Sequence, residues 1–490
     1  MLAWLALTAI LGLGAWLRLG ALDLGYSSDE VGTVTGAGFR GIFDHPETGV
    51  NPPLWRWMFN LPFSPWDAPW WGRRFSFVMS ELAIVLGFVV GRRAGGGSAW
   101  AGLGAALLLA AHPWCVRYGV TFRVYATWSA VLLAHVWSLG HALEREAGPA
   151  RRPWLVLAVV TAVVAPWLHY FSVPVLLVLG AAVLLGMPGR RRLVALYVPA
   201  ALGVTPLVPY VLFEEGRRVA PDREPLRQVL VKLSSLDVQP PPLVWSALWR
   251  GLSRVLGFWP DLGLTMTTTT LLLLLLVLVR WRAATPTLRL AAAGLAGVLG
   301  GTALLAQVQY VRPSTLVMVL TFAGPALVAA PSVLPWRLAR VLGVVAVTGW
   351  YAGNLPHHLT KERQTWEVER GIPWVLDHAE ELEARRGGRP YVVSPAHRLW
   401  TVWFHLAHSE PRAATRGEGC TGWRPCFEHE GVVWAGVDAV DGSLLDALVL
   451  YVDAWRTEEL GRGCEVVHDG GAWVLLDCHA EPVDPVPPRL

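Results

Sequence analysis

Stretches of about twenty mostly apolar residues recur along this chain, and each is long enough to cross a bilayer as one helix. They fall at 2–21, 73–91, 98–113, 123–142, 153–168, 171–187, 192–213, 262–280, 287–306, 312–331 and 336–353, which is roughly eleven spans. In hydrocarbon every backbone N–H and C=O must pair within its own segment, so these stretches must be helices. Composition agrees: 53% of the residues are hydrophobic and 16% charged, against about 25% charged in soluble domains. The net charge of +4 does not mark a nucleic-acid binder. It resolves into short Arg clusters between apolar runs, and Lys occurs only at Lys232 and Lys361. Many of the 27 Trp residues stand at the ends of apolar runs, where an indole sits half in lipid with its N–H in water. The first run lacks a basic leader and a clear small-residue cleavage site, so it is expected to stay as a helix.

Arg placement orients the spans. Arg92–Arg93, then Arg145, Arg151 and Arg152, then Arg190 to Arg192, then Arg280, Arg282 and Arg289, then Arg337 and Arg340 occupy alternate connections. The positive-inside bias makes those connections cytoplasmic. The expected protein is a multi-pass inner (plasma) membrane protein with its amino terminus in the cytoplasm. Outside lie a first loop at 22–72, a turn at 113–122, a second large loop at 214–261 and the tail. Residues 1–355 form the membrane domain and 356–490 an extracytoplasmic α/β domain. That tail carries short apolar runs at 391–393, 432–434, 448–452 and 473–476, too short to span and suited to strands. Helices are expected at 400–407 and 456–460. Cys420 with Cys426 and Cys464 with Cys478 are neighbours that an oxidising compartment would allow to pair, with free buried thiols as the alternative.

Four groups of residues on the outer side can carry chemistry. Asp29 and Glu30 follow the first span; a carboxylate there can act as general base on a hydroxyl. The spacing Ser27-x-x-Glu30 is equally that of a capping box. Asn51-Pro52-Pro53 then starts a short helix whose Leu54, Trp55, Trp57, Met58 and Phe59 suit the membrane surface. The second group runs from His112 to Tyr118 and on to Arg123 and Tyr125; an Arg fork suits a lipid phosphate and also simply anchors a helix end. The third is Trp167-Leu168-His169-Tyr170-Phe171, where His169 is a candidate for a metal, a phosphate or a base partner and the aromatics fit an interfacial belt. The fourth is Gln307 to Pro313, with Arg312. Two ionisable residues, Glu81 and His135, lie mid-span at similar depths, where such groups mark function or pair with each other.

The order of these motifs resembles that of the GT-C superfamily of polyprenyl-phosphate-sugar-dependent glycosyltransferases, nearest the protein O-mannosyltransferase and lipid A aminoarabinose transferase branch. The matching residues are Asp29-Glu30, Asn51-Pro52-Pro53-Leu54-Trp55, Arg73-Arg74-Phe75-Ser76, Arg123-x-Tyr125, His169-Tyr170-Phe171 and Tyr310-Val311-Arg312-Pro313. The resemblance covers residues 1–355 and implies that Asp29, with Glu30 beside it, is the catalytic base. It implies that Arg123, Arg312 and Tyr125 hold the donor phosphate, and it makes His169, Tyr170 and Asn51 candidates for substrate or a divalent metal (Mg or Mn). Asn51 stands where many relatives carry His.

The expected activity is transfer of a monosaccharide, with inversion, from a polyprenyl-phosphate donor to a hydroxyl on a protein, lipid or glycan at the outer face. No nucleic acid is involved. Two other classes are a transporter or flippase of a lipid-linked sugar, which Glu81 and His135 favour, and an inactive relative whose tail binds a partner. No internal repeat or matched pair of broken helices supports the transporter.

Overall fold

The computed structural model describes residues 2–19, 22, 54–55, 58, 67–144, 148–186, 195–206, 260–306, 313–353, 374–375, 377–386, 391–394, 426–429, 432–436, 448–451, 464–469 and 474–478. They belong to two compact units, a helical one within Met1–Leu22 and His45–His358 and a second within Leu359–Leu490.

The helical unit comprises α1 (Leu2–Leu19), α2 (Asp67–Ala94), α3 (Ala99–Ala111), α4 (Pro113–Tyr118), α5 (Tyr125–Glu144), α6 (Arg152–Leu168), α7 (Ser172–Gly186), α8 (Tyr197–Val204), α9 (Pro260–Val279), α10 (Pro286–Ala306), α11 (Pro313–Ala329) and α12 (Arg337–Gly353). Each expected apolar run carries one of these helices. Leu2–Leu19, Trp70–Ala94 and Pro149–Leu168 are by length and composition alone sufficient to cross a membrane. Shorter apolar stretches include Ala99–Ala111, Ser172–Leu185 and Val319–Val333. The outward faces demand lipid: Leu185, Val279 and Trp16 are 76%, 73% and 72% exposed, on helices that hold few charges. In water such faces would aggregate.

The bundle is built around α2, which packs against α1, α3, α5, α10 and α11. Its partnership with α3 rests on small residues. Gly87, Gly91 and Gly95 recur every fourth position on α2, and small residues at such spacing let helix backbones approach closely. A Cβ at Gly91 would lie 2.7 Å from Ala105 Cβ and 2.8 Å from the Ala101 carbonyl. In return, a Cβ at Gly102 would meet the Phe88 carbonyl at 2.7 Å. The chain reverses between the two helices through Gly96 (φ 66°) and Gly97 (φ 93°), left-handed positions that glycine adopts without strain. Ser98 then caps α3 by accepting the Ala101 N–H at 3.4 Å.

The second unit holds one mixed sheet in the order β2-β3-β1-β4-β6-β5. Its strands are β1 (Tyr391–Ser394), β2 (Cys426–His429), β3 (Val432–Gly436), β4 (Leu448–Tyr451), β5 (Cys464–Asp469) and β6 (Val474–Cys478), with helix α13 (Ala379–Arg386) before them. The expected strands are β1, β3, β4 and β6; β2, β5 and α13 add to them. β1 lies parallel to β3 and β4, while β2–β3, β4–β6 and β5–β6 are antiparallel. The register sets Cys464 opposite Cys478. Cys420 and the expected helices at 400–407 and 456–460 lie outside the described residues.

One buried charge ties four helices of the first unit together. Arg18, near the end of α1, is fully buried. Its Nη1 donates to the carbonyls of Gly14 (2.9 Å) and Ala110 (2.8 Å), and its Nη2 to those of Leu109 (3.0 Å) and Cys115 (3.3 Å). Glu81 of α2 supplies the counter-charge, with Oε1 3.9 Å from Nη1. Gly119 leaves the room: a Cβ there would sit 2.5 Å from Arg18 Nε. The guanidinium thus satisfies carbonyls freed where α3 ends at His112. Arg18→Met leaves these carbonyls without their donor and Glu81 without its counter-charge, and losing one side of a buried pair costs about 3–5 kcal/mol. The expected result is a clear fall in the thermal unfolding midpoint of detergent-solubilised protein, with Glu81→Gln milder because the carbonyl bonds survive. An unchanged midpoint for Arg18→Met would contradict this role.

Candidate functional site

The end of the bundle near Arg18 gathers the residues that the sequence singled out. After α3, His112 takes an extended conformation and its Nδ1 accepts the Trp114 N–H at 3.3 Å, capping α4. His112 therefore has a structural task. Along α4, Trp114 stacks on Tyr118 with centroids 5.9 Å apart and planes at 13°, and Arg117 lies 5.7 Å above the Trp114 ring.

Residues 119–124 then run without helix before α5. Phe122 is fully buried there and fills the space above Gly72, where a Cβ would be 1.9 Å from its ring. Ser76 of α2 donates to the Arg123 carbonyl at 3.4 Å. This segment holds Arg123 half-buried at the mouth of the bundle, with Tyr125 beginning the next helix. Tyr125 contacts Tyr118 edge-on at 4.5 Å between centroids.

His169 reaches the same place from the turn between α6 and α7. Its ring stacks on Trp128 of α5 at 4.1 Å and 7°. The Trp128 indole donates to Ser172 Oγ at 2.6 Å, and Ser172 donates on to the Ala165 carbonyl at 2.8 Å. His169 Nδ1 accepts the Phe171 N–H at 3.2 Å. A neutral imidazole that accepts at Nδ1 carries its proton at Nε2, so the free edge is a donor. Tyr125 lies 5.9 Å from the His169 ring. Burial and then the adjacent Arg123 guanidinium lower the His169 pKa to about 3. The ring is therefore a neutral hydrogen-bond donor at physiological pH. The guanidinium beside it raises the cost of placing a cation there. Cys115, below, keeps its proton: burial pushes its thiol up to about 12.

Arg123, Tyr125 and His169, from separate motifs, thus form one cluster, and half-buried Tyr170 follows His169 in the same turn. Asp29, Glu30, Asn51 and Arg312 lie outside the described residues. The Arg73–Ser76 motif is resolved into structural tasks. Buried Arg73 donates to the Leu22 carbonyl at 3.3 Å, fixing the chain seven residues before Asp29. Arg74 stands 3.2 Å over the Trp70 ring.

Two expectations need correction. Trp55 does not lie on the membrane surface: it is 1% exposed, with ring centroids 6.2 Å from Phe75 and 5.7 Å from Phe122. Aromatic packing against α2 and the 119–124 segment outcompetes the interface. Glu81 and His135 do not pair: Glu81 faces Arg18. His135 instead lies 3.0 Å from the Ala158 carbonyl, 3.1 Å from Thr161 Oγ1 and 3.0 Å from Tyr197 Oη. Sequence reasoning passed over Arg18, Trp128 and Ser172. Arg18 had a legible signal, an ionisable residue inside an apolar run; Trp128 and Ser172 had none. Among the described residues no group of three His, Cys, Asp or Glu side chains could hold a metal ion.

A lipid-exposed helical bundle with a cationic, aromatic cluster at one end defines a polytopic membrane protein with a polar site at its mouth. Its fold is similar to that of a solved structure. The crystal structure of ArnT from Cupriavidus metallidurans bound to undecaprenyl phosphate is similar with a TM-score of 0.50 and 15% identity, over 96% of this chain and 98% of that one. The oligosaccharyltransferase of Archaeoglobus fulgidus, crystallised with Zn and sulfate, aligns with a TM-score of 0.42 and 14% identity over 82% of this chain and 61% of that one. No protein-family profile matches the chain, and no curated protein matches it by sequence.

The depressed His169 pKa has a consequence for pH. The unfolded chain binds a proton at the ordinary His value of 6.5 while the folded one binds it near 3, so folding stability from this group is present above 6.5 and is lost as pH falls through that window. His169→Gln is expected to flatten the fall in unfolding midpoint between about pH 6.5 and 4. Parallel curves for variant and wild type would contradict the buried neutral ring.

Proposed function

We propose that the protein is an inverting glycosyltransferase. It moves a monosaccharide from a polyprenyl-phosphate donor to an acceptor hydroxyl at the extracytoplasmic face of the plasma membrane, with the amino terminus in the cytoplasm and the tail domain outside. The observation that carries this reading is the convergence of Arg123, Tyr125 and His169 at one end of the bundle. A guanidinium fork, a phenol and a neutral imidazole N–H are three potential donors in one neighbourhood, a set suited to a phosphate ester. The fold likeness to ArnT adds to it, since that protein was crystallised with undecaprenyl phosphate. The transporter alternative loses its main support, because Glu81 and His135 stand in separate, internally bonded networks.

In the proposed reaction Asp29 takes the proton of the acceptor hydroxyl. The hydroxyl oxygen forms its bond to the anomeric carbon from the face opposite the phosphate. The bond from that carbon to the phosphate oxygen breaks, and its electron pair leaves with the lipid phosphate. Arg123 stabilises the developing charge, with His169 Nε2–H and the Tyr125 hydroxyl donating to the same phosphate and Arg312 as a second cation. Glu30, next to Asp29 in sequence, assists it, and Asn51 and Tyr170 orient the sugar. If a Mg or Mn ion takes part, Asn51 and Tyr170 would be candidate ligands, with Asp29 and Glu30 as nearby-in-sequence carboxylates of the kind hard cations prefer.

The test is label release from a panel of labelled polyprenyl-phosphate sugars in membranes matched for folded protein. Losing one such donor lowers rate by about 10²–10³-fold, so Arg123→Gln is expected to fall by that much and Arg123→Lys by less. Release by Arg123→Gln at the wild-type rate would remove Arg123 from the site.

A further inference from the structure

At the opposite end of the same bundle a cavity of about 530 Å³ opens among α1, α2, α5 and the start of α10. Nineteen residues of α2 separate Arg73 from Arg92, a rise of about 28 Å at 1.5 Å per residue, so this cavity and the Arg123 cluster lie at opposite ends of the bundle. Its floor is apolar, made by Phe88 and Val89, and Trp4 walls it with its ring centroid 5.5 Å from that of Phe88. Its rim is charged, made by Arg92, Arg93 and Glu144.

The two arginines differ. Arg93 is committed within the protein. Its Nε donates to Glu144 Oε1 at 3.2 Å, its Nη2 is ion-paired with Glu144 Oε2, and its Nη1 lies 2.7 Å from His141 Nε2. Thr287 adds a hydrogen bond to Glu144 at 3.5 Å. The Arg92 side chain makes no hydrogen bond or ion pair among the described residues. Its stem rests on α3, where a Cβ at Gly102 would touch Arg92 Cβ at 3.0 Å, and the side chain is exposed. With Arg93 balanced by Glu144, the uncompensated charge at the rim among the described residues is that of Arg92. The glycine amides on the wall are spent: Gly96 N–H donates to the Arg93 carbonyl at 3.1 Å and Gly97 N–H to that of Arg92 at 2.8 Å. Recognition here therefore falls to a side-chain fork over an apolar floor.

The geometry points to a binding site for the headgroup of an anionic phospholipid, with its phosphate on Arg92 and its glycerol and first methylenes against Trp4 and Phe88. Trp4 is 56% exposed and stands at the apolar–polar boundary, the depth an indole prefers. A basic pocket between membrane helices at that depth matches anionic-lipid headgroup sites. A free anion would leave the apolar floor unused.

Native mass spectrometry of the full-length protein in detergent tests this, titrating phosphatidylglycerol, diacylglycerol of the same chains, and inorganic phosphate. Wild type is expected to retain phosphatidylglycerol in preference to diacylglycerol and to hold it against excess inorganic phosphate. One basic side chain near an anionic headgroup is worth about fivefold in affinity. Arg92→Gln is therefore expected to lose about fivefold, Arg92→Lys to keep most of the binding through its charge, and Arg337→Gln, outside the cavity, to bind like wild type. Equal losses in Arg92→Gln and Arg337→Gln would reduce the effect to diffuse surface charge. Equal retention of diacylglycerol, or displacement by inorganic phosphate alone, would also overturn the assignment.

Discussion

A guanidinium buried among helices has no water to turn to, and the Arg123 end of this bundle depends on how Arg18 resolves that. It does so with four carbonyl oxygens and one carboxylate contributed by α1, α2, the end of α3, and α4. The exchange is mutual, because carbonyls at a helix end near hydrocarbon also lack partners. Where α3 stops, the chain turns through α4 and the 119–124 segment to deliver Arg123 and Tyr125. Arg18 closes the underside of that turn, and Phe122 with Trp55 closes its side.

Helix α2 connects the two ends. One face carries Gly87, Gly91 and Gly95 and brings α3 into backbone contact; near its start Arg73 holds Leu22 and Ser76 holds the Arg123 carbonyl. Its last turn carries Arg92 and Arg93. A single rigid helix therefore sets the distance between a polar mouth and a basic, apolar-floored cavity. The mouth is stiffened by stacked rings, His169 on Trp128 and Trp114 on Tyr118, which hold donors in place without further charge. In the proposed transfer, donors held in this way would need little rearrangement as charge develops on the phosphate.

The helices were legible because hydrocarbon leaves the backbone few options, so apolar length translates directly into structure. The short α4 was not, since six residues at the end of an apolar run carry no period of their own. Trp55 misled because an aromatic after Pro52-Pro53 reads the same whether it meets lipid or Phe122. Glu81 and His135 share a depth, yet depth says nothing about which face of a helix each occupies; the faces sent one to Arg18 and the other to Tyr197. In the tail, β1, β3, β4 and β6 announced themselves by short apolar runs, whereas Cys426–His429 and Cys464–Asp469 hid behind charged and polar residues. Arg123 and His169 were each visible as candidates, but their meeting depends on Trp128 and Ser172, which no local pattern connects to either.

The proposed transfer depends on Asp29 acting as its general base. The direct measurement is single-turnover transfer from a responding labelled polyprenyl-phosphate sugar, comparing wild type with Asp29→Asn at equal folded protein and equal donor binding. Loss of a general base costs about 10²–10⁴-fold in rate, so the variant should bind donor normally and transfer at a small fraction of the wild-type rate, while the wild-type product carries the inverted anomeric configuration. Transfer by Asp29→Asn at the wild-type rate would leave Asp29 as no more than a helix-capping residue and contradict the account.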